Sequence, residues 1–344
     1  MNHKETFRNL YNGSLFNLPE IVNGINLKNR LNCCNDLHCM CKCKEFIKSW
    51  QDIYRKGGCE ISQLVDKIPD ERIPHTLSCF ILGYTLYEKC ELIHSAIDNV
   101  LKSLDNSLEN SNETTKNIKE AFYFAWFLTC IYHDFGYAYE KKFVEPDDFN
   151  INELLMANIC YRPNIFSNEI ISRYDEYRRC RFGVKDHGIY GGVKLLKDLK
   201  EFGDKYSNFY NMAAQTIMVH NIFYCHKGDI YEPCYKGKKL TSLIVDDVMR
   251  KHIKNPFLFL LSLVDNIEPI KRFYDVEVLS KIFLDINNKD NSINISFANE
   301  IDSYKLNLYK NSVKGMTDWL TYVNEYHNEL RITITQLGRD IDKL

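Results

Sequence analysis

Six residues of metal-ligating type, His75, His133 with Asp134, His187, His220 and Asp265, lie on or beside the apolar sides of helices that the hydropathy pattern predicts. A buried charge is costly unless it meets an opposite charge or coordinates a metal. Four imidazoles and two carboxylates suit a pair of divalent ions, with iron, manganese, cobalt and zinc all acceptable to such donors. Adjacent side chains diverge by about 100° around a helix, so of His133 and Asp134 one can serve a single ion while the other bridges two. Two ions set against two aspartates leave a local surplus of about +2, which attracts phosphate. A water shared between them has its pKa lowered toward ~7 and becomes a nucleophile at neutral pH. The expected chemistry is hydrolysis of a phosphoester or phosphoanhydride, with His133, Asp134 and Asp265 at the reacting centre and no serine or cysteine nucleophile.

The elements that must position these residues are read as helices. Pro74 opens an amphipathic helix with Leu77, Phe80, Ile81 and Tyr84 on one side and His75 in its first turn. Between Leu101 and Asn117 the chain is polar and reads as a surface connection. AFYFAWFLTCIY follows, apolar on every side and therefore a buried helix, ending in His133, Asp134, Phe135 and Gly136. Glu140 to Phe182 has no clear period, contains Pro146 and Pro163, and closes on ISRYDEYRRCRFG. A helix from about Asp186 buries Ile189, Gly192, Val193 and Leu196, and its paired Gly191 and Gly192 admit close approach of another backbone. Asn208 to Ile222 places Phe209, Met212, Ala213, Ile217 and His220 on a single face. Asn255 caps, and Pro256 starts, a helix carrying Leu258, Leu261 and Asp265, which Pro269 should end. Alternation at Ile282, Leu284 and Ile286 and again at Ile293, Ile295 and Phe297, around NNKDNS, predicts a hairpin, covered by a last helix over Ser303 to Leu330.

The ordered pattern H…HD…H…H…D, carried by "YHDFGY", "KDHGIYGG", "IMVHN" and "LVDNIEP", resembles the HD superfamily of metal-dependent phosphohydrolases over roughly residues 70 to 275. "DNIEPIKR" is also similar to a short stretch of the bacterial HD hydrolases of diadenosine tetraphosphate. The resemblance implies an all-α fold: an HD-domain helical core over residues 67–278, after an N-terminal cysteine-rich appendage over 1–66 and before a small hairpin-plus-helix addition over 279–344. It implies that His75, His133, Asp134 and Asp265 hold one ion and Asp134, His187 and His220 the other, with Asp134 bridging. Two features depart from the family. Tyr137 stands where many members carry a lysine shortly after the HD pair. The 58 positions from His75 to His133 exceed the family's usual separation, which makes His94 a rival first ligand.

Around this set, Lys185, Arg178, Arg179, Lys194, Lys271 and Arg272 are candidates for binding a phosphorylated substrate, expected to be a nucleotide. The stretch Arg173, Tyr174, Tyr177, Arg178, Arg179 and Arg181 can bind phosphate or stack a base, or else form a solvated charged helix face. The same ligand order occurs in HD-superfamily di-iron oxygenases, and a non-catalytic nucleotide sensor is a third reading.

Composition bounds the rest. A net charge of −2, from 44 basic and 46 acidic residues, gives no global reason to bind nucleic acid or a membrane surface. The apolar runs Ala121 to Tyr132 and Pro256 to Val264 are far shorter than the ~20 residues that span a bilayer. Thirteen cysteines with no apolar stretch in MNHKETFRNL point to a reducing cytoplasm. Cys33, Cys34, Cys39, Cys41 and Cys43 with His38 form the densest thiol cluster, although their spacing is not that of paired CxxC zinc sites.

Overall fold

The computed structural model describes residues 72–104, 114–140, 168–199, 207–222, 234–235, 238–239, 255–268, 271, 282–297, 301–311, 313 and 330–336. The cysteine cluster, Pro269 and Arg272 lie outside these. The described chain is mostly helical with a small three-stranded sheet, and none of its helices is long and apolar enough to cross a membrane. It divides into two compact units: the first contains described residues 72–96 and those from 263 onward, the second those from 97 to 262.

In the first unit, α1 (Ile73–Lys89) begins with Pro74 in its first turn, where the missing N–H costs nothing. Helix α2 (Glu91–Leu104) follows after Cys90, and its residues up to Ala96 belong to this unit. The α1–α2 junction is tied to a distant turn, since Asn288 accepts from Glu91 N at 3.1 Å and donates to Lys89 O at 2.9 Å.

In the second unit, α2 continues to Leu104, with Ile97, Leu101 and Leu104 buried and Asn208 donating to the Leu104 carbonyl at 3.0 Å. Helix α3 (Thr114–His133) starts within the polar stretch that the sequence pattern assigns to a surface connection. Tertiary packing of its apolar C-terminal three turns extends the helix back into poor formers such as Thr and Asn. Helix α4 (Tyr137–Glu140) follows a tight turn. Helix α5 (Asn168–Phe182) replaces part of the expected irregular region. Its apolar face consists of Ile170, Ile171, Tyr174 and Tyr177, all buried, while arginines occupy much of the rest and blur the period.

Helix α6 (His187–Leu199) packs on α7 (Ser207–Val219) and on α3. A Cβ on Gly191 would land on the Tyr132 carbonyl of α3, and one on Gly192 would come within 2.5 Å of the Ala214 carbonyl of α7. The paired glycines are therefore the points where three helix backbones close up. A two-residue ladder, β1 (Cys234–Tyr235) with β2 (Lys238–Lys239), completes the described part before α8 (Pro256–Ile267), which continues into the first unit. Asn255 Oδ1 accepts from Leu258 N at 3.1 Å as the expected cap, and residues 255–268 are buried on every side rather than on one.

The rest of the first unit is the sheet. Strands β3 (Ile282–Asn287) and β4 (Ser292–Phe297) pair antiparallel as the alternation predicts, and Asn291 takes the left-handed conformation (φ 50°) that closes their turn. The hairpin is not the whole sheet. Strand β5 (Arg331–Gln336) adds parallel to β4, from Ser292 opposite Arg331 to Phe297 opposite Gln336. Residues 303–311, in the crossover, are helical, and Tyr309 packs on Phe297 and donates to the Ile267 carbonyl at 2.5 Å.

Candidate metal centre

In the second unit, the end of α3 and the turn after it, the start of α6 and the turn after α7 carry four ligand-type side chains. His133 closes α3, and its Nδ1 lies 2.6 Å from the Cys130 carbonyl. A carbonyl only accepts, so Nδ1 carries the proton and Nε2 the lone pair. His220, in the turn after α7, repeats this arrangement with Nδ1 at 2.6 Å from the Ile217 carbonyl. The His220 ring lies 5.6 Å from that of His133 and 5.4 Å from that of His187, edge-on to both. Asp134 Oδ1 is 3.4 Å from His133 Nε2 and 3.9 Å from His187 Nε2. Donor atoms on one ion at about 2.1 Å are necessarily about 3 to 4 Å apart. All four side chains are buried, Asp134 and His133 completely.

His187 is held by a buried polar network. Its ring stacks on Tyr137 at 3.8 Å, its Nε2 accepts from Asn221 Nδ2 at 3.0 Å, and its Nδ1 faces Glu140 Oε1 at 3.5 Å. For His187 to ligate through Nε2, Asn221 must give up that bond. Glu140 in turn pairs with Arg178 at 2.8 Å, and Arg178 Nε is 3.2 Å from Asp186 Oδ2, which also accepts from the Tyr174 hydroxyl at 3.1 Å. Asp186 Oδ1 caps α6 by accepting from Ile189 N at 3.2 Å. Burial alone would raise the Asp186 pKa, yet His187, Arg178 and His220 around it bring the net shift below the usual carboxylate range. Burial drives the Cys130 thiol well above its ordinary value, and the Asp134 charge adds to this.

In the first unit, His75 lies in the first turn of α1, with Nε2 3.0 Å from Asp265 Oδ1 and Nδ1 2.7 Å from Glu268 Oε2. Lys271 Nζ donates to both Asp265 oxygens, at 2.6 and 2.9 Å, and its backbone N–H donates to Glu268 Oε2 at 3.0 Å. His75, Asp265 and Glu268 are all completely buried. His94 instead stacks on Tyr87 at 4.4 Å with Nδ1 on the Tyr87 carbonyl at 3.0 Å, and is only half-buried. His75, not His94, is thus the histidine facing Asp265.

Among the described residues, several of the candidate substrate cations already have partners. Arg178 is engaged by Glu140 and Asp186, and Lys271 by Asp265. Arg179 is exposed and pairs with Asp175 at 2.7 Å, while Arg173 is buried and pairs with Glu169 at 3.7 Å. Arg181 sits over the Phe182 ring, Lys185 lies 5.5 Å over the Tyr190 ring, and Lys194 is half-buried on α6.

Four participants escaped the sequence reading. Glu268 follows Asp265 by three residues and Cys79 follows His75 by four, spacings that share a helix face and were legible in principle. Glu140 and Asn221 carried no such signal, because their roles depend on tertiary placement. No protein-family profile, curated protein or solved structure matches the chain.

Proposed function

We propose that this chain is a metal-dependent phosphohydrolase of the HD kind, acting on a phosphorylated small molecule, a nucleotide in the first instance. The observation that carries the reading is the second unit's donor set. Two histidines have their Nδ1 protons committed to carbonyls three residues back, at 2.6 Å each, which leaves Nε2 as the ligating nitrogen of each ring, and that of His133 lies 3.4 Å from the Asp134 carboxylate. Fixing the tautomer through the second ring nitrogen is how proteins prepare metal-binding imidazoles. The donors fit a divalent transition ion: His133, Asp134, His187 and His220 would hold one in the second unit, and His75 with Asp265 would ligate in the first.

When bound, such ions lower the pKa of a coordinated water and stabilise charge on phosphoryl oxygens. The protein's own part is orientation and charge. Cys130 and Ile217 supply the carbonyls that fix two rings, Glu140 meets the third ring at Nδ1, and Arg178 with Asp186 holds Glu140 in place. The dense burial of these groups excludes bulk water, which strengthens each electrostatic interaction.

The test is metal analysis of purified protein followed by a phosphate-release screen over nucleotides, with His133→Ala as control. Bound transition metal and phosphate release that the variant lacks are expected. Turnover that consumes oxygen and releases no phosphate would replace the reading with an oxygenase. Tight nucleotide binding without turnover would replace it with a sensor.

A further inference from the structure

We infer that Cys79 is a metal ligand, acting with His75 and Asp265 at a site in the first unit that takes zinc or cobalt(II). This rests on the reading that His75 and Asp265 hold an ion, but not on hydrolysis. One turn of α1 separates Cys79 from His75, so both side chains share a helix face. Cys79 Sγ lies 3.6 Å from His75 Nε2 and 3.7 Å from Nδ1, and one ligand atom from each of His75, Cys79 and Asp265 lies within 4.8 Å of the others. Cys79 is fully buried and is not in a disulfide.

The surroundings are those of a ligand site. With Glu268 Oε2 accepting from Nδ1–H at 2.7 Å, a neutral His75 would turn its Nε2 lone pair toward Asp265, as in the carboxylate–histidine–metal arrangement. The charges also balance. A divalent ion and the Lys271 ammonium offset Asp265, Glu268 and a Cys79 thiolate, so the buried site is neutral once the thiol has released its proton to solvent on metal binding. Each Asp265 oxygen has a second lone pair beyond the one that Lys271 uses. A thiolate is a softer donor than any in the H…HD…H…H…D pattern, and it shifts preference from manganese toward zinc and cobalt.

Cobalt(II) titration of the full-length chain carrying Cys39→Ser and Cys41→Ser, with and without Cys79→Ser, tests this. The expected result is a near-ultraviolet sulfur-to-cobalt charge-transfer band that Cys79→Ser abolishes, while visible ligand-field bands persist. Affinity at that site should fall by about 100-fold, the upper end of what losing an outer partner costs. Ligand-field bands with no sulfur band, or a sulfur band that survives Cys79→Ser, would overturn the role of Cys79 and leave the histidine and aspartate sites standing. No cobalt absorption at all would overturn both. If the serine variant does not fold, zinc-edge X-ray absorption of the parent decides: a sulfur neighbour at about 2.3 Å supports the assignment and its absence refutes it.

Discussion

Arg178 separates two roles at the scale of one residue. As a substrate-binding cation its loss would raise the Michaelis constant; as the centre of a buried ion network its loss would destabilise the fold. It lies 2.8 Å from Glu140 and 3.2 Å from Asp186, with little exposure on any of the three. Arg178→Met should therefore lose about 3 to 5 kcal/mol, the cost of leaving buried carboxylates without their partner, read as a lowered urea midpoint. A variant of wild-type stability with a raised Michaelis constant would restore the substrate role. Asp175 gives a pH-dependent counterpart. Burial raises its pKa, the Asp186 charge adds to this, and Arg179 and Lys185 oppose it without cancelling it. A carboxyl raised in the folded state binds its proton more tightly there than in the unfolded chain, so stability falls as pH climbs from about 4 through the raised value. Asp175→Asn should flatten that decline, while its lost pairing with the exposed Arg179 counts for little. Denaturant midpoints of both proteins from pH 4 to 7 check the sign; parallel curves would refute it.

At the scale of elements, the close approach of α6 to α3 and α7 brings the second unit's histidines together. Among the glycines of α6, Gly191 is the tightest point, because an added methyl group meets the backbone carbonyl of Tyr132, which cannot swing aside as a side chain would. Gly191→Ala should cost about 1 to 3 kcal/mol despite the better helix propensity of alanine, and it should weaken metal binding by moving His187 away from Asp134. A gain in stability, as at a solvent-facing helical glycine, would show that the helices do not need this contact. The glycine pair, the Asn255 cap and the β3–β4 alternation were legible because each is a local signal. Helix α5 was not, since its buried stripe includes Arg173 and two tyrosines and has little apolar contrast. Strand β5 was missed for the opposite reason. Ile332 and Ile334 alternate with threonines in a clear period of two, but the run is short and its partner, β4, lies 39 residues earlier, so no hairpin turn announces it.

At the scale of the whole molecule, the number of ions proposed for it can be counted. The candidate residues of ligating type stood out in the sequence because they interrupt apolar helices. Their outer partners, Glu140, Asn221 and Glu268, acquire meaning only once the chain is folded. Each unit contains a buried group of ligand-type side chains, and a substitution in each tests it by itself. The full-length chain carrying Cys39→Ser and Cys41→Ser should bind two zinc or cobalt ions, His220→Ala should lose the one in the second unit, and His75→Ala the one in the first. Stripping both with a chelator should lower the unfolding midpoint, and restoring metal at about 100 times its dissociation constant should return about 2.7 kcal/mol per site. In His220→Ala the sulfur-to-cobalt band assigned to Cys79 should survive, because His220 is not among the donors proposed for that ion. If either single variant emptied both sites, the ions would bind as one cooperative cluster rather than as two separable centres.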